Sequence, residues 1–216
     1  MSAIDAQVVG LGGYALALAA GGAAVTSLCT RRRVWRLGVA LAVVALGLAV
    51  RVGGLPLAAY PRGMAGDLSV TTLLLLAAAL SAMLTGRTIL ERRAWFALCG
   101  LAATAGAVVY PLTLGLTRMD PYELGYRPRA LVVLVAVLVV AWWWRRRGAA
   151  LVLAAGVAAF DLRLLESTNL WDYLVDMPLA VCSAAIVGAR AVIGRRAPSD
   201  LRAPAPATAR SPEPLP

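Results

Sequence analysis

ALVVLVAVLVVAWWWRRRGAALVL, residues Ala130 to Leu153, decides the fold. Its first fifteen residues, Ala130 to Trp144, carry no charge and end in three tryptophans; Arg145, Arg146 and Arg147 follow, and a second apolar run starts at Gly148. A chain segment surrounded by hydrocarbon must satisfy its own backbone hydrogen bonds, so such a run reads as a helix in lipid. The two runs are joined by so few residues that their helices must be antiparallel neighbours.

Working outward, five more runs approach the roughly 20 apolar residues that a span requires. They are Gln7 to Cys29, Val34 to Val50, Leu68 to Gly86, Ala94 to Leu116, and a last one from near Leu170 to just before Arg195. With Ala130 to Trp144 and Gly148 to about Leu165, the sequence predicts an all-α, polytopic transmembrane helix bundle of about seven spans over residues 1–196. Met1 to Ala6 has no basic residue, so the first run is expected to be a retained span rather than a signal peptide. Residues 197–216 hold half of the 12 prolines and are expected to form a disordered cytoplasmic tail.

Composition agrees with this reading. Of 216 residues, 61% are hydrophobic and only 15% charged, and the mean hydropathy is +0.77. A soluble domain would be about half apolar and a quarter charged. The formal charge of +10 comes from 21 arginines, with no lysine and no histidine. Most arginines sit in clusters at the ends of apolar runs, which is the positive-inside bias and not the basic stripe of a nucleic-acid surface. Placing the clusters at 31–36, 87–93, 145–147 and the C-terminal region inside puts fifteen arginines and three acids there, against six arginines and eight acids outside. That asymmetry orients the chain with its N-terminus outside and its C-terminus in the cytoplasm, in a cell inner (plasma) membrane.

Several chemistries are excluded at once. Without histidine there is no imidazole triad, no bis-imidazole haem and no ordinary zinc site. Cys29, Cys99 and Cys182 lie in or beside apolar runs without C-x-x-C spacing, and read as small buried residues. No phosphate loop, nucleotide fingerprint or nucleophile motif occurs, so no cofactor and no metal is expected. The glycines of the first run and the Ala102/Gly106 pair of the fourth read as close helix packing within the chain.

Polar residues other than the orienting arginines gather in two outer segments. The first, after Tyr110-Pro111, contains Asp120, Tyr122 and Glu123; the second runs from Asp161 and Arg163 through Glu166, Asn169, Trp171, Asp172 and Tyr173 to Asp176, with Pro178 just beyond. These residues form the candidate outer-face site. Asn169 is expected to cap the seventh helix, with Asp172 completing a capping box and Trp171 and Tyr173 at interfacial depth. Asp172 and Asp176, four residues apart, would share a helix face, where repulsion and burial favour neutralising one of them by a proton or by Arg163 or Arg127. Asp161 is expected to pair with Arg163. Pro178 is expected to kink the seventh helix and free the carbonyl of Leu174, and the segment from Gly53 to Asp67 is compatible with a re-entrant stretch.

Three functions fit these features. The first is an accessory or scaffold subunit of a larger inner-membrane assembly, not itself an enzyme, that binds a partner membrane protein or lipid through its acidic, aromatic outer face. The second is a transporter or flippase-like carrier with Asp176, Asp172 and Glu166 as a proton or cation relay, although no internal repeat supports it. The third is a membrane-embedded enzyme acting on a lipid-linked substrate, with Asp120, Glu123, Glu166 and Asp172 as acid–base groups.

Overall fold

A computed structural model describes residues 3–116, 118 and 120–195; the tail expected at 197–216 lies outside them. The protein is helical. In chain order it forms α1 (Ala3–Cys29), α2 (Arg33–Ala49), a two-stranded hairpin of β1 (Arg51–Val52) and β2 (Leu55–Pro56), α3 (Ala59–Ala65), α4 (Val70–Thr85), α5 (Arg92–Pro111), a π-helical turn (Leu112–Leu116), α6 (Glu123–Tyr126), α7 (Arg129–Trp143), α8 (Arg147–Asp161), α9 (Trp171–Leu174) and α10 (Met177–Arg195). Each apolar run of the sequence but the last is a single helix.

Two helical stretches, Val8–Cys29 and Arg92–Gly115, are long and apolar enough to cross a membrane, while Val70–Thr85, Arg129–Trp143 and Met177–Ile193 are apolar but shorter. At 1.5 Å per residue the fifteen residues of α7 rise about 22 Å, short of the ~30 Å hydrocarbon core of a typical bilayer.

Small residues set the closest packing. Gly106 of α5 lies against Ala180 of α10, where a β-carbon on the glycine would overlap the alanine. In α1, Gly22 faces Val39, Ala40 and Val43 of α2, whereas Gly12 and Gly21 face outward. A central cluster includes Ala94, Leu98 and Ala102 of α5, Ala149 and Leu153 of α8, Tyr173 and Leu174 of α9, and Ala180 of α10. The periphery is apolar as well: Val34, Leu41, Val133, Val137, Val140, Val181 and Ile193 are all exposed. Polar residues lie inside instead, with Ser69, Thr71, Thr72, Asn169, Asp176 and Ser183 all buried.

Opposite charges hold the two ends of α4. At its C-terminal end, Arg36 donates to the carbonyl of Met83 at 3.1 Å and twice to that of Thr30, just past α1. A cation at carbonyls that helices leave free satisfies hydrogen bonds and complements the helix dipoles. At its N-terminal end, Ser69 caps α4 by accepting from the Thr72 amide, and the Ser69 amide itself donates to Asp176 at 2.7 Å.

Residues 53–67 complete a tight hairpin and hold a short helix. Gly53 and Gly54 supply the positive φ values of 54° and 86° that the two-residue turn requires, and α3 then packs on α1. The last apolar run is not one kinked helix. It breaks at Val175, which is extended (φ −145°, ψ 126°), and restarts at Met177. Pro178 stands in the first turn of α10, where no intrahelical donor is missed.

Candidate functional site

The loops after α2, α5 and α8 meet at one end of the bundle around a cavity of about 490 Å³. Its walls carry four carboxylates, Asp67, Glu166, Asp172 and Asp176, and four hydroxyls, Tyr110, Thr113, Tyr122 and Ser167.

Asp176 is the deepest, with 5% of its surface exposed. One oxygen accepts from the Leu179 amide at 2.7 Å, which makes Asp176 the cap of α10. The other accepts from the Ser69 amide and from the Thr72 hydroxyl, at the start of α4. A single carboxylate therefore serves the N-terminal ends of two helices, where the dipoles favour negative charge. The helix break at Val175 makes this possible, because within one continuous helix the Leu179 amide would be bonded to the carbonyl of Val175.

Asp172 accepts from the Tyr122 hydroxyl, at 2.8 and 2.9 Å to its two oxygens, and from the Ser167 hydroxyl. Burial, and then the bond to Asp172, push the Tyr122 phenol above its ordinary value. Asp172 thus does not close a capping box; the Asn169 amide donates instead to Ser167 Oγ at 3.0 Å. Asn169 does begin the turn into α9, accepting from the Trp171 amide at 2.9 Å while its amide nitrogen donates to the carbonyl of Tyr122. Trp171 Nε1 donates to the carbonyl of Pro121. These bonds dock the 120–126 segment on the 165–176 segment.

Neither Arg163 nor Arg127 pairs with Asp172 or Asp176, which form no salt bridge among the described residues. Arg62 of α3 instead bonds Asp67 at 2.6 Å and Glu166 at 2.9 Å, and the bond to Asp67 holds its guanidinium still more firmly in the charged form. Gly10 of α1 makes room for the pair, since a β-carbon there would strike Arg62 and Asp67. Asp172 and Asp176 lie in different elements and are kept apart by their own donors, although both face the cavity.

Other candidates lie elsewhere. Asp161 and Arg163 are exposed and form no ion pair with each other; Arg163 instead ends α8 with a left-handed φ of 53°. Tyr173 is wholly buried, its hydroxyl bonded to Leu165 and Ser167. Asp120 is exposed and accepts from the Thr113 hydroxyl and the Tyr122 amide, shaping the turn before α6, on which Glu123 is exposed. The sequence reading missed Arg62, Asp67, Ser69, Thr72, Tyr110 and Ser167. A detectable signal existed for Arg62 and Asp67, an isolated outer arginine five residues before an acid in a glycine-rich loop.

The arrangement suits cation binding better than proton transfer. Four carboxylates against one guanidinium leave a negative excess, and tyrosine rings flank it. Among the described residues no group of three histidine, cysteine or acidic side chains is arranged to hold a metal ion. No protein-family model, no curated protein and no solved structure matches this chain.

Proposed function

We propose that this chain is a seven-span membrane protein, N-terminus outside and C-terminus cytoplasmic, that serves as a binding subunit of a larger inner-membrane assembly. A cationic group of a partner membrane protein enters the acidic, tyrosine-lined pocket at the outer end. The observation that carries this reading is the cavity itself, where Asp67, Glu166, Asp172 and Asp176 face one open space with Arg62 as their only salt-bridge partner among the described residues. Membrane placement is supported by the exposed Val and Leu along α2, α7 and α10, a pattern that water would not tolerate over so large an area. Its orientation is supported by the arginines of 31–36, 87–93 and 145–147, which stand at helix ends and connections on the side opposite the pocket.

A relay is disfavoured by the bonding of Asp176. A transporting carboxylate needs donors that can release it, whereas Asp176 is held by two helix-terminal amides and a hydroxyl. The test is extraction in a mild detergent with a photo-crosslinker at Met64, which is 91% exposed and lines the pocket. The wild type should carry a crosslinked partner that Glu166→Gln loses, with a fall in melting temperature of no more than about 3 °C from the loss of the half-exposed Arg62 pair. Elution of the wild type as a lone, uncrosslinked monomer sinks the proposal.

A further inference from the structure

At the end opposite the acidic pocket, four arginines from α5, α10 and the turn between α7 and α8 line one groove, and three of them face two aromatic rings. Arg92 and Arg190 both face the Phe96 ring, with guanidinium carbons 5.7 and 3.7 Å from its centre, and Arg146 stands 5.5 Å from the centre of Trp142. With Arg93 they line a groove of about 840 Å³. The positive-inside bias accounts for arginines at this depth. It does not account for their convergence, from α5, α10 and the turn between α7 and α8, on one concavity.

The groove continues toward the bilayer midplane. Its upper wall, Leu101 and Thr104 of α5, is also the lower wall of an apolar cavity of about 240 Å³ reaching Val108, Leu134 and Leu138. The two helices that flank this path, α5 and α7, barely touch, although each packs on α8. A slot open along its length, apolar above and cationic at its inner end, matches one amphiphile in shape and charge.

We infer that this slot binds an anionic phospholipid of the inner leaflet, its phosphate among Arg92, Arg93, Arg146 and Arg190 and one acyl chain between α5 and α7. Guanidinium groups suit phosphate because they present paired donors to its oxygens. Here Phe96 and Trp142 stand within about 6 Å of three of them. The inference rests on the membrane placement proposed above but not on the acidic pocket.

The test uses the full chain in a mild uncharged detergent, with lipid binding read by native mass spectrometry. Phosphatidylglycerol should be retained at least about tenfold more tightly than phosphatidylcholine, and Arg92→Gln with Arg190→Gln should remove most of that preference, since each arginine near an anionic headgroup adds on the order of a fivefold gain. Leu101→Trp, which fills the slot and leaves every arginine in place, should also weaken phosphatidylglycerol. The control Arg31→Gln with Arg145→Gln, on exposed arginines outside the groove, should not. Equal retention of the two lipids overturns the inference, as does a control that weakens binding as much as the groove pair. Glycerol phosphate binding as tightly as the lipid would make this a free-phosphate site and overturn it too. Should the arginine pair fail to fold, Leu101→Trp still decides. A chain that stays monodisperse in water without detergent fails the membrane placement itself, whereas a detergent-dependent chain without lipid preference fails only this inference.

Discussion

Replacing Asp176 separates a structural clamp from a proton-carrying acid. In Asp176→Ala, the amides of Ser69 and Leu179 and the hydroxyl of Thr72 lose a common acceptor that is itself 5% exposed. Each buried donor left unsatisfied costs about 1–3 kcal/mol, and loss of a helix cap alone costs about 1 kcal/mol. Because the Thr72 hydroxyl can turn toward Ser69 Oγ, 3.0 Å away, two donors remain orphaned, and the total is about 3–5 kcal/mol. Asp176→Asn keeps one oxygen for Leu179 but turns an NH₂ group toward the Ser69 amide and the Thr72 hydroxyl, so about half the loss, roughly 2 kcal/mol, remains. With the unfolding entropy of a soluble domain of this length, these losses lower the melting temperature by about 10 °C and about 5 °C. The assay is thermal unfolding of detergent-purified protein followed by tryptophan fluorescence, with hydrogen exchange at the starts of α4 and α10. Both variants should melt early and exchange faster at both helix starts. An Asp176→Asn protein that melts like the wild type yet loses function would refute the clamp and restore the relay.

Three further outcomes follow from the same contacts. In Gly125→Ala the new methyl group overlaps the side chains of Asn169 and Trp171, so the 120–126 segment should undock at a cost of about 1–3 kcal/mol, seen as a red shift in fluorescence; an unchanged spectrum contradicts the docking. Arg163→Gly relieves a left-handed φ at an exposed position and should stabilise the protein by about 1 kcal/mol; a drop in stability would show that the guanidinium has a partner. The Tyr122 phenol is raised in the folded state, so its bond to Asp172 adds stability below the unfolded tyrosine value of 10.0 and is lost as pH climbs through the folded value. Tyr122→Phe should therefore be less stable at neutral pH and lose less between pH 10 and the alkaline limit, and equal alkaline slopes for the two proteins would count against the bond.

The helices were legible because their signal is long and redundant. Fifteen consecutive apolar residues before three arginines, as at Ala130 to Trp144, leave a chain in lipid no alternative to a helix. The break at Val175 was not legible. Nothing in Trp171 to Val181 requires it by propensity, and Pro178 suggested a kink one turn later. The break follows from a contact more than a hundred residues away in sequence, because the start of α4 needs an acceptor and Asp176 supplies it only if the Leu174–Met177 backbone turns outward.

The acidic pocket was half legible for a related reason. A sequence displays which helix ends its charges flank, so Glu166, Asp172 and Asp176 could be assigned to a common end of the bundle from arginine asymmetry alone. It does not display which cation meets which acid. Arg163 and Arg127 are nearer than Arg62 in sequence to Glu166, yet Arg62 reaches it because α3 folds back over α1 and Gly10 leaves a gap where any larger residue would block the guanidinium. Pairing Arg62 with Asp67 and Glu166 in turn leaves Asp172 and Asp176 to hydroxyl and amide donors. The cavity keeps its negative excess for that reason, and a cation from outside the chain is what that excess would attract.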